Sequence, residues 1–425
     1  MKLICAPKDY AFVGSGDAVE VILYGHADTQ TRGSAGAAVM DDVVRAKLNP
    51  APRAWDFLSL ALSATAADLA GHRSASSDGW TRELELEVAV TDPDFWNGQR
   101  DLVKRILEFL TTDKWEVSFL PGGMSAVPKG EPVLPDEDCV TLLSGGLDSF
   151  TGTIDLVTEG KKPFAVSQIV TGDADNQRTF AQAIGGGLRH LQVNHNAHVP
   201  NSESPPSQRA RSLIFIAYGI LAATTLARYN AGQTVTLYVC ENGFISVNPP
   251  LTGSRLGSLS TRTTHPVFLG LIRHLIGAAG LRVSVENPHQ LQTKGEMLRD
   301  CTNQDLLKKY ASQTTSCGRF RQFGYTHCGR CVPCLVRRAA FRASGLTDKT
   351  KYKYVDLGRD DSDYAAFDDV RCVAMALAEV KSDGLETWMG SALSTALLRD
   401  VSALEQMVGR GLDELGSLFK FHGVK

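Results

Sequence analysis

The sequence predicts an α/β protein built on a doubly wound parallel sheet, and three observations predict it. Between residues 137 and 345, short apolar runs alternate with helix-length stretches, the pattern of repeated βαβ units. The first of these units places two adjacent glycines in the turn between strand and helix, in Ser144-Gly145-Gly146-Leu147-Asp148-Ser149. Near its end, three cysteines recur at two-residue spacing behind a fourth.

The N-terminal stretch, residues 1–135, reads as a separate α+β unit. Val19 to Gly25 has the composition of a strand. Arg82 to Thr91 alternates apolar Leu84, Leu86, Val88 and Val90 with Glu83, Glu85 and Glu87, a half-buried strand with an acidic outer face. Trp55–Ala70 and Gln99–Leu110 carry helical apolar spacing, and Trp115–Leu120 reads as a further strand. No catalytic constellation is visible here, and His26 with Asp28 reads as a polar loop. Residues 121–136 are rich in proline and glycine and mark a boundary.

In the central stretch, residues 137–345, the expected strands are Cys139–Leu143, Pro163–Val170, Leu191–Asn194, Val235–Cys240 and Leu281–Val285. The expected helices include Gln177–Ile184, Ser212–Tyr229, Pro266–Ala279 and Lys294–Tyr310. A strand, a glycine turn and a helix make an anion cradle. Glycines let the backbone N–H groups converge, and the helix start adds unpaired N–H groups and positive dipole. Ser144 and Ser149 add hydroxyls, and Asp148 beside phosphate calls for Mg²⁺ between them. No Gly-Lys-Ser/Thr follows the glycines, which excludes the Walker loop. Cys317, Cys328, Cys331 and Cys334 have the spacing of a four-thiolate Zn²⁺ site, and an iron–sulfur cluster is the other use of such a run.

The remaining stretch, residues 346–425, shows helical spacing at Val370–Val380 and Leu393–Leu418 and no visible chemistry. The chain of 425 residues is 43% hydrophobic and 21% charged with net charge −3, ordinary for a globular protein and without support for direct nucleic-acid binding. The first ten residues are too short in apolar length for a signal peptide. The uncharged run 212–227 is short for a membrane span, so the expectation is a cytoplasmic protein.

The hexapeptide 144–149 resembles the PP-loop of the ATP pyrophosphatases. With Cys328-Gly329-Arg330-Cys331-Val332-Pro333-Cys334 and the following Arg337, it resembles the 7-cyano-7-deazaguanine synthase (QueC) family over residues 137–345. Gln177-Arg178, Arg211 and Thr293-Lys294-Gly295-Glu296 match in order between the two anchors. The resemblance implies a C–N ligase fold that uses Mg·ATP, forms AMP and pyrophosphate, and carries structural Zn²⁺. It implies ATP binding at residues 144–149 with Gln177, and catalytic roles for Asp148, Lys294 and Arg211. The substrate segment departs from the family pattern, because its acid is missing. Arg255, Arg262 and His265 are the candidates there for holding a deazapurine carboxylate, and Glu241 and Asn242 for reading a nucleobase edge. Proteins of this family with added domains resemble those of anti-phage defence operons, such as the Qat system and type IV CBASS. That resemblance implies a partner protein from the same operon, whose amine would be the acceptor.

Overall fold

A computed structural model describes residues 1–12, 16–27, 30–124, 130–203, 209–252, 262–358, 368–393, 397–398 and 400–424. Two five-stranded sheets form the frame, and every strand pair within them is parallel.

The first sheet joins β1 (Lys2–Pro7), β2 (Val19–Leu23), β3 (Gly33–Ala35), β4 (Glu83–Val90) and β5 (Lys114–Pro121) in the order β3-β2-β1-β4-β5. The N-terminal unit is therefore α/β, a correction to the α+β expectation. The alternation of β4 predicts a half-buried strand with an acidic outer face. That wet face exists, on a parallel sheet: Lys2 bridges Glu85 and Glu87, and Lys114 bridges Glu83. The other face is covered by α2 (Pro52–Ala70) and α4 (Arg100–Thr111), with α1 (Ala37–Arg45) and α3 (Pro93–Gly98) at the margins. α2 is buried almost all round, because its far side packs on a helix of the second sheet.

The second sheet joins β6 (Cys139–Leu142), β7 (Pro163–Gln168), β8 (His190–Val193), β9 (Val235–Tyr238) and β10 (Val283–Glu286) in the order β10-β9-β6-β7-β8. α5 (Leu147–Thr158) and α6 (Ala174–Ala183) cover one face. α7 (Arg211–Ala223) and α10 (Pro266–Ala278) cover the other and pack on α2 and α4. This is the doubly wound arrangement the sequence predicts. The strand order reverses between β6 and β9, and ligands in such sheets bind at the carboxyl ends beside that reversal.

Two expected helices are each split. The Ser212–Tyr229 stretch becomes α7 and α8 (Ala227–Asn230), with the Thr224 and Thr225 hydroxyls turned back onto Leu221 and Ala222 carbonyls at 2.8 and 2.7 Å. The Lys294–Tyr310 stretch becomes α11 (Lys294–Asp300) and α12 (Gln304–Tyr310), the second capped by Asn303. A short α9 (Gly243–Ser246) follows β9, and α13 (Val332–Ser344) follows the cysteine run. α14 (Asp369–Asp383), α15 (Leu385–Leu393) and α16 (Val401–Phe421) complete the chain, with α16 lying on α13, α11 and α9.

The sheets are also tied to each other. Ser34 in β3 and His198, beyond β8, exchange backbone hydrogen bonds of 2.8 Å in each direction. Beneath this seam Arg82 donates to Asp68 and Asp113, all three buried, while the second carboxylate oxygen of Asp68 accepts from the Ala210 N–H just ahead of α7. No described helix is long and apolar enough to cross a membrane.

Candidate active site

The turn after β6 is shaped by its own residues. Gly145 has φ of 89°, a conformation that favours glycine, and its carbonyl accepts from the Thr315 N–H at 3.0 Å. Ser144 and Ser149 hydroxyls meet at 2.9 Å and cinch the loop, while the Ser144 hydroxyl also accepts from the Gly146 N–H at 3.2 Å. α5 starts at Leu147, so the first-turn N–H groups of Leu147, Asp148 and Ser149 have no carbonyl one turn back inside the helix. The Leu147 side chain belongs to the core under the loop, with Phe150 and Ile154. A 240 Å³ cavity opens over this turn, walled by Asp148, Glu241, Lys294, Thr315, Ser316 and Pro333.

Asp148 is the electrostatic centre. Lys294 forms a buried ion pair with its Oδ1, and Asn242 Nδ2 donates to its Oδ2 at 2.8 Å. Burial alone would raise the Asp148 carboxyl. The Lys294 charge and the hydrogen bonds from Glu241, Lys294 and Asn242 outweigh it and hold that carboxyl below the usual carboxylate range. Glu241 goes the opposite way: burial first, then the Asp148 charge, push it well above its ordinary value. Burial and the Asp148 charge together favour the protonated form of Glu241. Two carboxyls facing one cavity offer hard oxygen atoms of the kind Mg²⁺ takes.

A second cavity of 320 Å³ lies toward α7 and shares Ser144, Ser149, Cys240 and Glu241 with the first. Arg211, Ser212, Phe215, Gln168 and Thr264 line it. Gln168 Nε2 and Ser212 Oγ are buried there with no hydrogen-bond partner in the protein, so the cavity offers polar atoms to a ligand. Burial lowers the Arg211 pKa, and Asp173 opposes that effect.

Several sequence-predicted residues stand elsewhere. Gln177 braces the loop instead of binding the nucleotide: its Nε2 donates to the Ser144 and Gln168 carbonyls at 3.0 Å each, and its Oε1 accepts from Gln192. Asn242 is buried and spent on Asp148, on Glu241 and on capping α9, so it cannot read a base edge. Glu241 faces Asp148. Arg262 donates to the Phe109 carbonyl at 3.3 Å and lies over that ring, which directs it to α4. His265 caps α10 by accepting from the Val267 N–H at 3.2 Å, and burial lowers it to about 4. Arg255 and Asp28 lie outside the described residues. Arg337, which the sequence offered only as a family match, is fully buried. It donates to Thr314, Ser316, Thr350 and the Ala311 carbonyl, pinning the wall that carries Thr315 and Ser316.

The four cysteines converge as expected. Cys317 and Cys331 Sγ stand 3.8 Å apart, Cys328 and Cys334 3.9 Å, and all four ligand atoms lie within 4.8 Å of one another. A tetrahedron with Zn–S bonds of about 2.3 Å has edges of about 3.8 Å, so the set fits Zn²⁺. Backbone N–H groups of Arg319, Cys328, Arg330 and Cys331 point at the sulfurs at 3.3–3.5 Å, which favours thiolates. His327 is not in the set, and its Nε2 accepts from the Ser316 N–H. Pro333, inside the knuckle, is also a wall of the 240 Å³ cavity.

The chain matches no protein-family model. It is 27% identical over 237 residues to the 7-cyano-7-deazaguanine synthase of Cupriavidus pinatubonensis, across 50% of this chain and 97% of that protein. The synthase of Cupriavidus necator is 26% identical over 236 residues, with 50% and 96% covered. That of Methanococcus vannielii is 36% identical over 63 residues, 15% of this chain and 25% of that protein. These distant relatives support a QueC-like family for the half of the chain they match.

Proposed function

We propose that this chain, a distant relative of the 7-cyano-7-deazaguanine synthases, activates a 7-deazaguanine-type carboxylate with ATP and passes it to an amine. The observation that carries the proposal is the pair of neighbouring cavities at the strand-order reversal, which share Ser144, Ser149, Cys240 and Glu241, one over the glycine turn and one lined by Arg211 and unpaired polar atoms. A carboxylate oxygen attacks the α-phosphorus, the bond to the β-phosphate oxygen breaks, and pyrophosphate leaves. An amine nitrogen then attacks the carbonyl carbon, the carbon–oxygen bond to AMP breaks, and the amine proton passes to solvent or base. The chain supplies donors for the developing phosphate charge from the first turn of α5, Ser144, Ser149 and Lys294. Mg²⁺ would be held by Asp148 and Glu241, where it would screen the pyrophosphate, and Zn²⁺ by the four cysteines, where it fixes the cavity wall.

With ammonia as the amine, a second activation of the amide and loss of its oxygen would give the nitrile, the product in the relatives' printed name. The added N-terminal sheet and the altered substrate segment motivate a different acceptor in this proposal, an amine on a partner protein in anti-phage defence. A thiolase on the same fold is disfavoured: burial pushes Cys301 up to about 12 and Cys240 higher still, so neither is a thiolate at neutral pH.

The test is mass spectrometry of products from zinc-loaded protein, Mg·ATP, 7-carboxy-7-deazaguanine and ammonium, with Asp148→Ala as control. AMP together with amide or nitrile is the expected result. No AMP above the control refutes the substrate assignment, and free nitrile alone in the presence of the operon partner refutes the protein acceptor.

A further inference from the structure

The last helix lies against both supports of Asp148. Met407, Arg410, Gly411 and Glu414 follow one another at i, i+3, i+4 and i+7, so they share one face of α16. On one side, the Thr293 hydroxyl donates to the Glu414 carboxylate, which also accepts the Gly295 N–H. A Cβ at residue 295 would stand 2.4 Å from Glu414 Oε1, so glycine is what lets the carboxylate reach that backbone. Arg410 Nε donates to Glu296 Oε1 at 2.6 Å, and its Nη2 to the Leu291 carbonyl at 2.9 Å. Glu296 in turn accepts from the Thr293 N–H at 2.8 Å. These bonds enclose Lys294 on both sides in sequence.

On the other side, the Phe244 ring lies so close over Gly411 that a Cβ there would stand 2.2 Å from Phe244 Cδ2. Met407 Cε approaches Gly243, where a Cβ would stand 2.9 Å from it. Gly243 and Phe244 follow Asn242, whose amide holds the second oxygen of Asp148. One helix face therefore contacts the chain on both sides of Lys294 and just after Asn242, the two groups that orient the loop carboxylate.

We propose that α16 is part of the positioning machinery of the nucleotide site, with Glu414 and Arg410 as positioning residues for Lys294. The physical reason is the length of lysine. Four rotatable bonds leave a lysine ammonium free to choose among partners, and its aim at Asp148 is fixed only if its backbone turn is fixed. The turn at 293–296 has its own capping box. Glu414 and Arg410 bond the outward side of that box, and the bonds from Thr293 and Gly295 oppose the rise that burial imposes on the Glu414 carboxyl. A misplaced ammonium weakens phosphate binding steeply, since charge and geometry both suffer.

This inference rests on residues 144–149 being the ATP site, and the experiment separates the two. Glu414→Gln and Arg410→Met are compared with Asp413→Asn, an exposed neighbour on the same helix. Mg·ATP affinity is measured by calorimetry in the wild-type and Lys294→Met backgrounds. Glu414→Gln is expected to weaken Mg·ATP binding about tenfold with Lys294 present, and to add nothing once Lys294 is gone. Equal weakening in both backgrounds would mean a general packing role and overturns the proposal, as does no weakening in the wild-type background. If wild-type protein fails to bind Mg·ATP, the nucleotide reading falls. Hydrogen exchange without ligand then decides the inference alone. Glu414→Gln, and not Asp413→Asn, must speed exchange of the 293–298 amides, and unchanged exchange overturns it.

Discussion

Replacing Lys294 with methionine removes the cation from a pair in which the Lys294 and Asp148 side chains are 8% and 6% exposed. An exposed pair would contribute at most about 1 kcal/mol. A buried one is different: loss of one partner strands the other charge, at a cost of about 3–5 kcal/mol, or roughly two to four orders of magnitude in the unfolding constant. Asn242 and Glu241 still donate to Asp148, which favours the lower end of that range. The sign with pH follows from the depressed Asp148 pKa. The pair's stabilisation is present above the unfolded value of about 3.9 and is lost as pH falls through the lower folded value. The gap between wild type and Lys294→Met is therefore full at pH 6–8 and narrows in acid. Urea unfolding of the proteins at pH 7.5 and at pH 3 measures it. Adding Asp148→Asn to the methionine variant should recover most of the loss, because no charge is then stranded. A loss under about 1 kcal/mol, or a double variant less stable than the single one, would refute the reasoning.

Three further outcomes are expected. Glu241 has a raised folded pKa, so what its protonated carboxyl contributes is present in acid and lost as pH rises through that value. Glu241→Gln should therefore gain stability relative to wild type between pH 5 and pH 8 in thermal scans. Cys328→Ser should lower bound zinc below one per chain by metal analysis and, by loosening the Thr315–Ser316 wall, weaken Mg·ATP binding. Arg82→Met leaves buried Asp68 without its cation, while Asp113 keeps Arg73, and should cost about 3 kcal/mol in urea, far from the turn at 144–149.

What the sequence revealed about the site was what sits in contiguous residues. The glycine turn and the cysteine run have their geometry fixed by neighbours within a few positions, and both fold as read. Lys294 was found through its motif, and its partner Asp148 through the loop. Residues whose role depends on distant partners were misread. Gln177 binds carbonyls at residues 144 and 168, and nothing in its local sequence distinguishes that from a nucleobase contact. Arg262 and His265 sit next to the substrate segment, yet contacts with Phe109, more than 150 residues earlier, turn them away. Glu414 was missed because an acid on an amphipathic helix looks solvated until Thr293 is seen beside it. In the N-terminal unit, β3 is three residues long and carries no period, so the parallel order of that sheet had no local signature.

The seam between Ser34 and His198, with α2 packed on α7, has a consequence for dissection of this protein. A fragment beginning near residue 137 would keep the whole turn at 144–149 and the four clustered cysteines. It would also expose the apolar flank of α7 to water and leave the His198 N–H and carbonyl without their strand partner. Such a fragment is expected to aggregate or to fold loosely, and its inactivity would say nothing about catalysis. The N-terminal sheet is better regarded as the missing half of a shared interior than as a detachable accessory. Its contribution is best tested by single substitutions in the intact chain.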